Sequence, residues 1–368
     1  MKMMQAIIDI GSNSIRLAVY KLEEPNKISL LMNKKDVAGL AAYVKKDSMT
    51  PEGIDKACTV LLDFKQLLDN LNIVDIVAFA TAALRNVSNS EAAVKAIEAR
   101  TGLTIQVLSG SEEASLAFAG ATHEIQGKSG MLIDLGGAST EIVLYKDSLL
   151  EQAVSLPIGS LNACKLYVNE LLPNKNERKA IKDAVLAELE KYSEIKSIKQ
   201  ANVCGVGGTI RAASKINNYL FNLPSDSKEI KVPNIKKMIK LLENDEADDL
   251  IATDTLQILL RTVPDRIETI LPGMIILHTL TKYFKSEVVT VSYSGVREGY
   301  LRQYVLPELQ KEKQLSDAIA VVDPKVKGVA VSAAGSRQRA VKIAAKKTHK
   351  IAVIDKAEVA DHEESQNI

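Results

Sequence analysis

The sequence predicts an α/β protein built from two similar lobes, and three observations carry that prediction. The stretch "AIIDIGSNSIRLAVY" (Ala6–Tyr20) returns as "MLIDLGGASTEIVLY" (Met131–Tyr145); without gaps, Ile8 pairs with Ile133, Asp9 with Asp134, Gly11 with Gly136, Ser14 with Ser139 and Tyr20 with Tyr145. Each copy opens a run of strands that then alternate with helical stretches, the pattern of layered α/β domains. A length of 368 residues, 46% of them hydrophobic, allows two domains a core each.

Ala6 to Ile10 and Ile15 to Tyr20 are short apolar runs joined by Gly-Ser-Asn-Ser, which reads as a hairpin. A third strand is expected around Ile28 to Met32. Thr50 then stands as N-cap, with Pro51 at the first helical position of "TPEGIDKACTVLLDFKQLLDNL". "IVDIVAFAT" reads as a buried strand, "NSEAAVKAIEARTG" as a helix stopped by Gly102, "LTIQVLSG" as a strand and "SEEASLAFAGATHE" as a helix start. The second copy follows a similar order. Its hairpin is succeeded by a strand at "EQAVSLPIGS", helices to about Ser193, a strand at "ANVCGVGG" opening into a helix at Thr209, and helices through Pro233 to Phe284. A last strand, "EVVTVSYSG", and a closing helix, "VREGYLRQYVLPELQ", follow. The expected division is a first domain over 1–122 with the closing helix 296–311 packed back on it, a second over 123–295, and a disordered tail over 312–368. That tail is basic and then acidic, with eight Lys or Arg and no acid between Lys325 and Lys350, so it could attract a polyanion without folding.

Lys and Arg total 47 against 46 Asp and Glu, so overall charge gives no reason to expect nucleic acid, although a local basic cleft could still hold a polyanion. Cys58, Cys164 and Cys204 suit neither a disulfide framework nor a CxxC site and read as reduced, packed thiols. The four histidines have no zinc spacing, and neither a Walker lysine pattern nor a Gly-x-Ser-x-Gly elbow occurs, which argues against P-loop and serine-hydrolase chemistry. No basic segment leads into an apolar N-terminal stretch and no apolar run reaches about 18 residues, so a cytoplasmic protein without a membrane partner is expected.

A tight turn rich in Gly and Ser exposes backbone N–H groups that can cradle a phosphate, and two such turns facing each other form a clamp. Asp9 and Asp134, each at the strand end before its turn, would place one carboxylate per lobe beside that phosphate, the setting in which Mg²⁺ takes one or two carboxylates plus phosphate oxygens and water. "VCGVGGTIRAAS" (Val203–Ser214) adds a third Gly-rich turn, at Gly207 and Gly208, before a helix start that favours an anion. A lone Asp-x-Gly turn is usually just a hairpin; the matched pair is what points to a ligand.

"DIGSNSIRL", "ATAALRNVSN", "SGSEEASLAF", "IDLGGASTEI", "LPIGS", "GVGGTIRA" and "SGVREGYL", in that order from about Ile7 to Leu306, resemble the exopolyphosphatase/guanosine pentaphosphate phosphohydrolase (Ppx/GppA phosphatase) family. The resemblance implies two actin-like, RNase H-like lobes of the sugar kinase, heat-shock ATPase and actin superfamily. The cleft between them would hydrolyse a terminal phosphoanhydride with Mg²⁺, other divalent cations being open. It implies Glu113 as general base and Glu141, with Asp134, as an acidic metal and water-positioning residue. Ser12, Asn13, Ser14, Gly136, Gly137 and Ser139 match phosphate-binding turns, and Arg85 a phosphate-contacting arginine. Two departures stand out: Ala138 replaces a common third Gly, and nothing after Leu306 offers the His-Asp pairs of the helical domain found in longer members.

Bland readings stand beside these roles. Glu112 and Glu113 could sit in a helix's first turn after Ser111 only because acids are favoured at that end of the dipole; since adjacent helix positions diverge by about 100°, only one can face a cleft, and Glu112 is taken as structural. Arg85 could be a solvated loop charge, though its bidentate fork suits phosphate. Arg16, at the position Glu141 fills in the second copy, is open between an interlobe ion pair and substrate contact. The expected substrate is inorganic polyphosphate, shorter chains being favoured, with guanosine pentaphosphate the alternative and a homodimer left open. A small-molecule kinase and a nucleotide-dependent binding protein on the same fold are the rivals, and the Glu-Glu-Ala stretch argues against both.

Overall fold

The computed structural model describes residues 2–23, 27–124, 127–196, 198–243 and 253–311; the expected tail lies outside these residues. Each copy of the repeat is a hairpin at the heart of its own sheet. In the first, β1 (Lys2–Ile10), β2 (Ile15–Glu23) and β3 (Lys27–Asp36) form an antiparallel meander, and a small hairpin, β4 (Val44–Lys45) with β5 (Ser48–Met49), follows. Then come α1 (Pro51–Asn70), β6 (Ile76–Ala80), α2 (Ala82–Arg85), α3 (Ser90–Thr101) and β7 (Ile105–Val107), giving the strand order β3-β2-β1-β6-β7 with β6 parallel to both β1 and β7. The local signals act as read from the chain. Thr50 Oγ1 accepts from Gly53 N at 3.3 Å with Pro51 opening α1, and Gly102 closes α3 with φ 68°, a left-handed position where Gly carries no Cβ penalty.

The chain then runs through α4 (Gly110–Ala121) into the second sheet, whose hairpin is β8 (Gly130–Leu135) and β9 (Thr140–Lys146). β10 (Leu149–Leu156), α5 (Ser160–Tyr167), α6 (Lys175–Glu190), β11 (Asn202–Val206), α7 (Gly208–Leu220), β12 (Glu229–Lys231), α8 (Val232–Leu242), α9 (Thr253–Thr262), α10 (Ile267–Tyr283) and β13 (Val288–Val291) complete it in the order β10-β9-β8-β11-β13-β12. The equivalence extends to register: Asp9 lies opposite Arg16 in the first hairpin, as Asp134 lies opposite Glu141 in the second.

Side chains of α1 and α3 cover one face of the first sheet around Leu61, Phe64, Leu68 and Ile97, while α5, α6, α7, α8 and α10 bury their apolar faces on the second. The other face of the second sheet receives α4, whose Ala114, Ala117, Phe118 and Ala121 pack on Leu132, Val143, Tyr145 and Cys204. Against α4 lies α11 (Val296–Tyr300), backbone to backbone. A Cβ at Gly120 would come within 2.0 Å of Gly295 O, and one at Gly299 within 1.8 Å of Leu116 O, so neither position admits a larger residue without separating the helices. α11 also reaches the first lobe, where Tyr300 stacks on Phe79 and Tyr20 donates its hydroxyl to Glu298. These two short helices therefore tie both sheets together around the ends of β1 and β8.

The closing helix expected over 296–311 divides: α11 passes into a π-turn at Leu301–Val305, and a second compact unit begins at Tyr304, its described part a helical stretch ending at Lys311. The three cysteines are free, with Cys58 and Cys204 buried. Among the described residues no helix is long and apolar enough to cross a membrane.

Candidate active site

The two repeated turns are built alike. Gly11 N donates to Ser14 O at 3.2 Å and Gly136 N to Ser139 O at 3.0 Å, closing each loop on itself. In each the carbonyls are then drawn away from the opposite lobe. Behind the first turn, Ser12 O and Asn13 O accept from Ala41 N and Gly39 N; behind the second, Gly136 O and Gly137 O accept from Ser160 N and Leu161 N at the start of α5. That is the local reason for "LPIGS": a Cβ at Gly159 would lie 2.5 Å from Gly137 C, so only Gly lets α5 approach the turn this closely. With the carbonyls occupied, the amides of Ser12, Asn13, Gly137 and Ala138 find no acceptor among the described residues. The turns face each other closely: a Cβ on Gly137 would lie 3.6 Å from Ser12 Cβ and 3.8 Å from Asn13 Cβ. Ala138 takes an ordinary negative φ and its carbonyl accepts from Asn162 Nδ2 at 2.9 Å, so its methyl group is accommodated without strain.

The third turn closes the floor. Gly207, at φ 102°, fits because a Cβ there would meet Leu135 O at 2.5 Å and Asp134 Oδ1 at 2.9 Å. Gly208 starts α7 beneath the Arg266 guanidinium, which occupies the space a side chain would need. All three turns line one cleft of about 150 Å³ together with Asp9, Asp134 and Glu113. Four arginines line it too: Arg16, Arg211, Arg266 and Arg297.

Glu113 enters this cleft from the first turn of α4. The neighbouring Glu112 is a capping residue: its Oε2 accepts from Ser109 N at 2.7 Å while Ser109 Oγ accepts from Glu112 N at 3.2 Å. The cap is thus Ser109, two residues before the expected Ser111, because Ser109 holds the extended conformation a cap requires. Glu113 Oε2 accepts from Arg85 Nη1 at 2.6 Å, and the same nitrogen donates to Leu108 O at 3.2 Å. On its other side Arg85 Nη2 lies 3.9 Å from Glu141 Oε1, which also accepts from Ser155 Oγ at 2.8 Å. Arg85 and Glu141 are not among the cleft-lining residues; Glu141, 1% exposed, sits behind Arg85, so the three form a chain leading inward from Glu113.

Burial dominates the electrostatics of the carboxylates. It lifts Asp134 up to about 6, Arg211 opposing and Asp9 adding. It lifts Glu113 up to about 7 against the pull of Arg85. Glu141 is held well above the ordinary range by burial and by Glu113 and Asp134, and Asp9 is raised by burial despite Arg297 and Arg16. Three of the four cleft arginines are frustrated in the opposite sense, whereas at Arg297 burial is outweighed by Tyr20, Glu298 and Asp9, which hold it above its ordinary value. Burial, then the neighbouring Arg297 and Arg211, lowers Arg16 to about 10, and burial lowers Arg211 and Arg266 as well. Arg16 pairs with no acid of the second lobe among the described residues; it lies across from Asp9 on its own hairpin, in the cleft.

The sequence model of the Ppx/GppA phosphatase family matches residues 18–308, most of the chain, beginning just after the first repeated turn. The chain belongs to the Ppx/GppA phosphatase family. With that family it is a phosphoanhydride hydrolase, and its lobes are actin-like. Among curated relatives, the bifunctional 3-dehydroquinate synthase/phosphatase of Fusobacterium nucleatum is 29% identical over 78% of this chain, which spans only 45% of that protein. Exopolyphosphatase 1 of Mycobacterium tuberculosis is 22% identical over 90% of this chain and 94% of its own length. In structure, the Aquifex aeolicus Ppx/GppA family member superposes with a TM-score of 0.67 at 26% identity, covering 84% of this chain and 99% of that one. An exopolyphosphatase from Cytophaga hutchinsonii gives 0.70 at 22% identity, covering 83% and 98%.

In this Ppx/GppA phosphatase the cleft lining includes Asp9, Ser12, Asn13, Ser14, Glu113, Asp134, Gly136, Gly137, Ser139, Gly207 and Gly208, all singled out from the chain. Reading the chain missed Arg211, Arg266, Arg297 and Glu298. Arg211 and Arg297 stand inside the quoted "GVGGTIRA" and "SGVREGYL", where charge within a Gly-rich motif was a usable signal. Arg266 follows "TVPD", an ordinary loop with no such mark.

Proposed function

We propose that this cleft removes the terminal orthophosphate of inorganic polyphosphate, with Glu113 as the general base for the attacking water. The observation that carries the reading is the facing pair of matched turns, with acceptor-free amides, in one cleft with Glu113 and four arginines. Two turns and a helix start offer N–H groups to more than one phosphate, and the arginines, which repel one another when buried together, are relieved by a polyanion. The exopolyphosphatases among its relatives support this reading.

Hydrolysis of a phosphoanhydride needs a positioned nucleophile and fixed positive charge on the phosphoryl oxygens, with little covalent work from the protein. Glu113 meets the first need. A carboxylate lifted to about 7 is basic enough to take a proton from water at neutral pH yet still ionised often enough to act. Arg85 holds it in place from the far side of the cleft wall, and Glu141 holds Arg85. The turn amides, with Arg16, Arg211, Arg266 and Arg297, meet the second.

The donor set also fits Mg²⁺. Among the described residues no group of three or more His, Cys, Asp or Glu forms a protein-only cage, and a cation held by one or two carboxylates plus substrate oxygens does not need one. Asp134, with Asp9 across the cleft, would hold it, and the ion would neutralise charge on the phosphate oxygens. The test is orthophosphate release from polyphosphates of graded length, guanosine pentaphosphate, ATP and GTP. Tripolyphosphate and longer chains should be cleaved in preference to ATP and GTP; release from guanosine pentaphosphate alone would replace polyphosphate as the substrate, and no release from any would overturn the reading.

A further inference from the structure

The carboxylate of Glu124, just beyond α4 and outside the cleft lining, gathers four donors from elsewhere in the chain. Tyr293 N and Ser294 N each donate at 3.2 Å, Ser294 Oγ at 2.7 Å and Lys228 Nζ at 3.2 Å. Burial alone would raise this acid, but the donors from Ser294, Tyr293 and Lys228 outweigh it and hold the carboxyl below its ordinary range. The loop that Glu124 grips, between β13 and α11, meets the cleft at three places. Tyr293 lines it. The carbonyls of Ser292 and Tyr293 lie 3.5 and 3.4 Å from Arg211 Nη1, and Gly295 begins the helix that carries Arg297 and Glu298. Gly295 is further fixed by Glu298 Oε2, which accepts its N–H at 2.9 Å. Lys228 completes the clamp, its ammonium 5.5 Å from the centre of the Tyr293 ring.

We infer that Glu124 is a positioning residue: by fixing the 292–295 loop it sets Arg211 and Arg297 toward the anionic substrate, and so governs substrate affinity without taking part in the chemistry. This rests on the polyphosphate reading above. The loop acts by preorganisation. Two long arginine side chains lose much rotamer freedom when they grip a phosphate, and the loop restrains them before the substrate arrives. Glu113 is anchored independently, by Arg85 and by the capped start of α4, so loosening the loop leaves the base in place.

The test is steady-state hydrolysis of tripolyphosphate by the full chain with Mg²⁺, together with direct calorimetric binding of tripolyphosphate. Glu124→Ala should raise KM and Kd about tenfold while kcat stays within about twofold. Glu124→Gln, which keeps one acceptor oxygen for Ser294 N and Oγ but sets an NH2 against Tyr293 N and Lys228 Nζ, should recover only part of that loss, and Ser294→Ala, which removes only the 2.7 Å bond, should raise KM about threefold. In an Arg211→Ala background, adding Glu124→Ala should cost clearly less than its roughly tenfold effect in the wild type, because part of that effect acts through Arg211 and the rest through Arg297. Unchanged KM in both Glu124 variants, or a fall in kcat alone, overturns the inference while the wild type still cleaves tripolyphosphate. Full additivity with Arg211→Ala also overturns it. A wild type that neither binds nor cleaves tripolyphosphate instead overturns the functional reading on which it stands.

Discussion

Replacing Asp134 by Asn should make the divalent-free protein more stable while abolishing its activity. Asp134 is 8% exposed, and burial carries its carboxyl from 3.8 up to about 6. A group whose folded value is raised favours the folded state fully below its unfolded value and loses that contribution as pH climbs through the folded one. The wild type therefore loses stability between about pH 4 and pH 6. A difference of about 2 pK units corresponds to about 3 kcal/mol at pH 8. Asn has nearly the same shape and no charge, so the variant escapes this loss and should melt roughly 5–10 °C higher at pH 8 in chelator, the gain vanishing near pH 4. Mg²⁺ should raise the melting temperature of the wild type and leave the variant unmoved. Thermal unfolding at several pH values, with and without Mg²⁺, provides the assay. A variant that is less stable than wild type at pH 8, or stabilised equally at every pH, would contradict this, because the buried charge would not then be the source of the strain.

Glu113→Gln should lower kcat by about 100-fold or more with little change in KM, whereas Glu112→Gln should leave kcat and melting temperature near wild type, because Gln keeps an acceptor oxygen for Ser109 N in the cap of α4. The kcat of the wild type should fall as pH drops below about 7, where Glu113 takes up its proton, and a flat profile between pH 5.5 and 8 would remove that role. Gly207→Ala should cost several kcal/mol of stability or block folding, since its Cβ would strike Leu135 O at a left-handed φ; a soluble variant with unchanged melting would count against the packed third turn. Raising salt should increase KM for polyphosphate more than kcat changes, as read from initial rates at several ionic strengths, because four arginines line the cleft.

The parts of this fold that the chain announces are those with a local cause. Thr50 with Pro51, Gly102 and the paired Asp-x-Gly turns act within a few residues of themselves, so their signals survive without knowledge of the rest. β12 carried no such mark: three residues on a sheet edge, pairing only with β13, are too few for a period to show. The position of the helix cap at Ser109 rather than Ser111 turned on which of two nearby serines adopts the extended backbone, and composition does not distinguish them. The site divides in the same way. Turns and the acids beside them are legible because glycine has a conformational reason to be there. The arginine cluster is assembled from β2, α7, the loop before α10, and α11, distant stretches that meet only after both sheets have formed. Arg85 and Glu141 show the limit differently: both lie beside the site, yet the burial that sets them behind Glu113 is a property of packing between α4 and the second sheet.

Removal of phosphate from a chain end, with Glu113 activating water, is read out by following the products of a defined-length polyphosphate with time. The wild type should yield orthophosphate from the first turnover, with one oxygen of each released phosphate drawn from labelled solvent water, and Glu113→Gln should bind the same chain with a near-wild-type Kd while releasing phosphate at least about 100-fold more slowly. Mid-length fragments as the early products, or a Glu113→Gln variant that releases phosphate at the wild-type rate, would contradict it.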